Sequence, residues 1–151
     1  MIRSLLLASA ALLLTACGGD ADVTEKPGQT YTTEVWNHLY EYAERLQFDV
    51  QPILTGEDNP ENTAKAVKAW AKALDAFVNG LASAEVRDAP ASLVKRVKDM
   101  QHDAEALQPL VRIAGFDREL ASQASRKLGA RKRLFQNEVR SLGLDYIVVD
   151  R

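Results

Sequence analysis

The chain has 151 residues, 46% apolar and 26% charged, with a net charge of −2. That is the balance of one globular domain with a real core, and it excludes a general electrostatic attraction to nucleic acid. A single cysteine excludes an internal disulfide, a Cys-based zinc site and a CxxC redox pair.

The N-terminus has the three parts of an export signal: Arg3 as the positive end, an almost wholly apolar run over residues 4–14, and the small pair Thr15-Ala16 ahead of Cys17. The run is too short to cross a hydrocarbon core about 30 Å thick, which takes about 20 helical residues. Leu14-Thr15-Ala16-Cys17 resembles the lipobox of bacterial lipoproteins. The resemblance implies that residues 1–16 are a lipoprotein signal peptide, that the Cys17 sulfur receives a diacylglyceryl group, and that the freed amino group is acylated, as with palmitate. A thiolate is the strongest nucleophile among the side chains for such a transfer. Several buried acyl chains then make an effectively permanent anchor, with membrane lipid as the first partner. Gly18 stands where an Asp would favour inner-membrane retention, so the family pattern implies a lipid-anchored protein of the bacterial outer membrane, facing the periplasm. Residues 17–30 are then the lipidated cysteine and a flexible tether of Gly, Asp, Glu, Lys, Pro and Thr.

Residues 31–151 form the predicted helical domain. A first helix is expected from Thr33 as N-cap, with Val35, Leu39, Tyr42, Ala43 and Leu46 on one stripe. Pro52 should kink or stop it around residues 49–51, because it lacks the N–H and clashes with the carbonyl of Phe48. Asn59-Pro60-Glu61 is a helix start, followed by Val67, Trp70, Ala71, Leu74, Phe77, Val78 and Leu81 at spacings of three and four, with Gly80 fraying or ending the segment. The third helix follows Asp88-Ala89-Pro90 and aligns Leu93, Val97, Met100, Ala104 and Leu107, with Pro109 bending it. Asp117 caps the fourth, which carries Leu120, Ala121, Ala124, Leu128, Phe135, Val139 and Leu142 and ends at Gly143. Four such segments with short connections predict an all-α, antiparallel up-down-up-down four-helix bundle. The run Tyr146-Ile147-Val148-Val149 predicts an extended C-terminal tail, which either covers an end of the core or adds as a strand to a partner's sheet edge.

The layout resembles the b-type four-helix cytochromes, whose iron is held by a Met near the start of the first helix and a His in the last. Neither residue type occurs between Asp117 and Gly143 and the first helix has no Met, so no haem and no other cofactor is expected. Asp99-x-x-His102 is the nearest approach to a carboxylate-bridged metal site, but at 100° per residue His102 points away from the apolar stripe. His38, on the flank of its own stripe, reads as a solvated surface residue. No Gly-x-Ser-x-Gly or phosphate-cradling loop occurs, and no enzyme is predicted.

Charge is distributed unevenly. Ten acidic and two basic residues occupy the interval from Asp20 to Glu61, against eight basic and three acidic from Arg112 to Arg140. Either the first and fourth helices attract each other across a shared seam, or Arg126, Lys132, Arg133 and Arg140 make a face that docks on an acidic protein or anionic envelope material. Arg131 breaks the fourth apolar stripe, with Lys127 at its edge. Its guanidinium either reaches water or a carboxylate past its apolar stem, or lines an anion site. The reading that follows is a non-catalytic envelope protein that binds another envelope or secreted protein, as accessory subunit or immunity protein, through these basic residues and Tyr146, Ile147 and Val148. A small-ligand carrier using the interior near Trp70, Phe135 and Arg131 is the alternative.

Overall fold

The computed structural model describes residues 25–54, 59–112, 114 and 116–145. Over these residues the chain is helical and has no strand. In order come α1 (Gln29–Arg45), a π-helical turn (Leu46–Val50), α2 (Gln51–Leu54), α3 (Pro60–Ser83), α4 (Ala91–Leu107), a 3-10 turn (Gln108–Leu110) and α5 (Arg118–Ser141). No helix among the described residues is long and apolar enough to cross a membrane.

α1 begins ahead of the expected Thr33 cap. Gly28 takes the N-cap position at φ +85°, and its carbonyl accepts from the Thr32 N–H at 2.9 Å. A Cβ at Gly28 would stand 2.8 Å from Pro90 Cδ, so both the backbone angle and the approach of the α3–α4 connection require glycine there. Pro52 does not stop the helix. The Gln51 N–H reaches back five residues to the Leu46 carbonyl, and this wide turn relieves the ladder just where proline can neither donate nor fit against the Phe48 carbonyl.

α3 starts as expected, with Asn59 Oδ1 accepting from the Glu61 N–H at 2.9 Å and Pro60 at the first position. Gly80 does not end it, because α3 continues to Ser83 with Gly80 buried. The His38 imidazole of α1 fills the space a Cβ would take at Gly80, so this histidine is a half-buried packing residue rather than a solvated one. α4 buries Leu93, Val97, Met100, Ala104 and Leu107 as the spacing predicts, and Pro109 falls in the 3-10 turn that follows. At the head of α5, Asp117 Oδ1 accepts from the N–H groups of Glu119 and Leu120. At its foot, Gly143 at φ +64° donates to the Arg140 carbonyl and Leu144 donates to that of Val139, the paired bonds of a Schellman ending. Leu120 is 48% exposed, not in the core: it lies about 80° around the helix from Leu128.

The closest helix pairings are α4 with α5 and α1 with α3, and α3 also packs on α4. Phe77, Phe135, Leu74, Leu93, Met100 and Leu107 are fully enclosed between them. Tyr42 stacks on Phe77 at 4.8 Å and accepts a 3.0 Å hydrogen bond from Trp70 Nε1, while Phe116 meets Trp70 edge-on at 6.4 Å. The start of α1 and the end of α5 meet. Lys26 Nζ donates to the Gly143 carbonyl at 2.6 Å, and the Gln29 side-chain amide makes two hydrogen bonds with the Asp145 backbone.

Candidate functional site

α5 carries seven basic and two acidic residues, and the fold sorts the basic ones by face. On the side toward α4, Arg131 Nε donates to Asp103 Oδ2 at 2.6 Å, and its Nη1 lies 3.7 Å from Asp99 Oδ2. Lys127 Nζ stands 2.8 Å from Asp103 Oδ1, a close ionic contact that is not aligned as a hydrogen bond. The Asp103 side chain is 2% exposed, against 31% for Arg131 and 63% for Lys127. Burial opposes ionisation of Asp103, but the hydrogen bond from Arg131 and the positive charges of Arg131 and Lys127 outweigh it and hold the carboxyl below its ordinary range. Asp99 is also lowered, chiefly by its hydrogen bond from Lys95. The Arg131 guanidinium is correspondingly held more firmly protonated, first by its bond to Asp103.

Arg131 is therefore the charge anchored against a carboxylate. The acidic partners of Lys127 and Arg131 belong to α4, whereas the expected attraction ran between the first and last helices. Sequence reasoning missed Asp103 as a buried acid, although a signal was present: Asp99 and Asp103 on one helix, and Lys127 and Arg131 on the next, share the four-residue spacing that lets two pairs face each other.

On the side toward α1, the Lys132 ammonium sits 5.7 Å from the centre of the Trp36 ring, within cation–π range. Arg126, Arg133 and Arg140 recur every seven residues on the outer face and are exposed. Arg126 is held along its own helix by Ser122 at 3.0 Å and Glu119 at 3.7 Å. Arg133 and Arg140 have no side-chain partner among the described residues. The five basic residues singled out in the sequence thus split into one buried pairing, one aromatic contact and an outward stripe. Cys17, Tyr146, Ile147 and Val148 lie outside the described residues.

The interior near Trp70, Phe135 and Arg131 is occupied by side chains: Phe135 is wholly buried, the Trp70 N–H is satisfied by Tyr42, and Arg131 by Asp103. A mainly apolar cleft of about 160 Å³ lies instead between α1 and α5, lined by Leu39, Tyr42, Ala43 and Leu46 on one side and Leu128, Gly129 and Lys132 on the other. Burial pushes the Tyr42 hydroxyl up to about 12, against a smaller lowering by the hydrogen bond from Trp70. His102 is exposed as expected, and among the described residues no group of three His, Cys, Asp or Glu side chains converges as metal ligands would. No family model, curated protein or solved structure matches the chain.

Proposed function

We propose that this chain is a lipid-anchored protein of the bacterial envelope, held in the outer membrane by acylated Cys17 and facing the periplasm, where its helical domain binds an envelope or secreted protein. It acts without catalysis, as an accessory subunit of an envelope complex or as a periplasmic immunity protein. Residues 1–16 are the cleaved signal. The observation that carries the reading is Leu14-Thr15-Ala16-Cys17 at the end of an apolar run, with the chain's only cysteine in the acceptor position. The domain is an up-down-up-down antiparallel bundle, a reading supported by the close pairing of α1 with α3, α3 with α4, and α4 with α5, and by the meeting of residues 26–29 with residues 143–145. A rigid, filled core of this kind supports recognition by its outer faces. The run Tyr146-Ile147-Val148-Val149 lies outside the described residues; its β-branched and aromatic composition supports a role either as a cap for the bundle or as a strand for a partner's sheet.

Mass spectrometry of the mature protein tests the anchor. A mature chain that begins at residue 17 and carries diacylglyceryl and acyl mass supports it, as does release of Cys17→Ser from the membrane fraction; an unmodified Cys17 overturns it. Affinity capture from envelope extracts with the same protein then tests the binding role, with one stoichiometric protein expected. The α1–α5 cleft supports a second reading, a carrier of a small apolar ligand. Extraction of the purified protein followed by mass spectrometry of co-purifying small molecules decides between the two.

A further inference from the structure

We infer that the outer face of α5 is a second membrane contact, in which Arg126, Arg133 and Arg140 engage the phosphate groups of anionic phospholipids in the leaflet that holds the anchor; this rests on the acylation of Cys17. Two independent observations converge on it. The first is the sorting of charge. Lys127 and Arg131 are spent on Asp103 and Lys132 lies over Trp36, yet the stripe at residues 126, 133 and 140 is left exposed, with Arg133 and Arg140 unpaired among the described residues. Arginine forks match phosphate oxygens, and a row of them over about 21 Å of helix presents a linear array to a headgroup layer.

The second observation is where the chain enters. Lys26 bonds the Gly143 carbonyl, so the first described residues, Glu25 and Lys26, stand at the C-terminal end of α5, where Gly143 in turn bonds the Arg140 carbonyl. Eight residues from Cys17 to Glu25 reach at most about 28 Å when fully extended, and less on average. α5, with 24 residues, is about 36 Å long. The tether is thus too short to present the domain with this end turned away from the bilayer. It does allow α5 to lie along the surface, where a positive stripe is drawn to anionic headgroups over the screening length of about 8 Å at physiological salt. The acidic α1, with Glu34, Glu41 and Glu44, would be repelled by the same surface. An acidic protein would satisfy the stripe's charge equally, but only the bilayer is brought to it by the point of chain entry.

The test uses the full acylated protein, purified from membranes and reconstituted into vesicles. With the Cys17 sulfur alkylated, an introduced cysteine is the sole reactive thiol, so a fluorophore is placed at Asn137→Cys on the outer face of α5 or at Ala76→Cys on α3. Quenching by headgroup-labelled lipid should be severalfold stronger at position 137 in vesicles containing phosphatidylglycerol. It should fall toward the value at position 76 in pure phosphatidylcholine, in high salt, or in the Arg133→Glu/Arg140→Glu variant. Equal quenching at the two positions, or quenching indifferent to anionic lipid and to the double variant, overturns the contact. Loss of protein capture by the double variant without any change in quenching assigns the stripe to a protein and also overturns it. A protein that labels at position 17 and floats free of vesicles shows failure of the anchor itself, a different result from either.

Discussion

Asp103 shows how a buried charge is made tolerable. At 2% side-chain exposure its carboxylate persists because Arg131 and Lys127 reach both oxygens from the neighbouring helix. Removing one partner leaves charge without compensation, so Arg131→Met should lower the melting temperature by several degrees. Arg131→Met combined with Asp103→Leu should recover most of that loss, because two apolar side chains need no pairing. Thermal unfolding of the two variants checks this, and a double variant no more stable than the single one would contradict it. The same pairing sets an acid dependence. The folded carboxyl titrates below the unfolded one, so the unfolded chain binds protons first as pH falls. The contribution is complete above the unfolded range near pH 4 and is lost as pH drops through the folded value. Urea midpoints measured from pH 2 to 6 should rise with pH in the wild type and rise less steeply in Asp103→Asn. Equal slopes would show that Asp103 is not the group responsible.

At the scale of elements, the helices were legible because their apolar residues recur at three and four and their ends carry strong local signals. Asn59, Pro60, Asp117 and Gly143 act through bonds within a few residues of themselves, and all four do what their chemistry dictates. The misreadings at Gly28 and Gly80 share one cause, which is that the deciding contact comes from elsewhere in the chain. Gly28 resembled tether composition, but Pro90 and a positive φ make it a helix cap. Pro52 reads as a stop unless a wider turn precedes it, and no residue in Leu46–Val50 announces a π turn. Gly80 reads as a terminus, whereas its missing Cβ is the seat for His38 from α1. This last contact makes a prediction. In an exposed helix Gly→Ala would gain up to about 1 kcal/mol, but here Gly80→Ala should destabilise, since the ring must move. In a His38→Ala background the same change should become neutral or favourable. A coupling above about 0.5 kcal/mol in the double-mutant cycle is expected, and additive effects would mean that the ring moves aside freely.

For the whole molecule, the interior and the outward face of α5 are separable, and that separation limited what the sequence could reveal about function. Periodicity identifies which side chains are inside, because burial follows from spacing. It does not identify which of seven cations on one helix are consumed by neighbours, since that depends on where the carboxylates of α4 and the ring of Trp36 come to rest. The separation can be measured. Phe77 is wholly enclosed, stacks on Tyr42, and through Tyr42 supports the bond from Trp70. Truncating it empties the centre and breaks that chain of contacts, so Phe77→Ala should cost about 3–5 kcal/mol, a large part of the roughly 5–15 kcal/mol that holds such a domain folded. Arg133 and Arg140 are exposed and make no hydrogen bond or ion pair with a described side chain, and reversing both charges should move stability by no more than about 0.5 kcal/mol each. Urea unfolding followed by helix signal and by tryptophan fluorescence should place the two variants far apart, with Phe77→Ala near the edge of folding and Arg133→Glu/Arg140→Glu beside the wild type. A large loss from the arginine pair would mean that the stripe supports the fold itself. A small loss from Phe77→Ala would mean that the core collapses readily around the gap, against the dense packing that makes outward recognition the better reading of this protein.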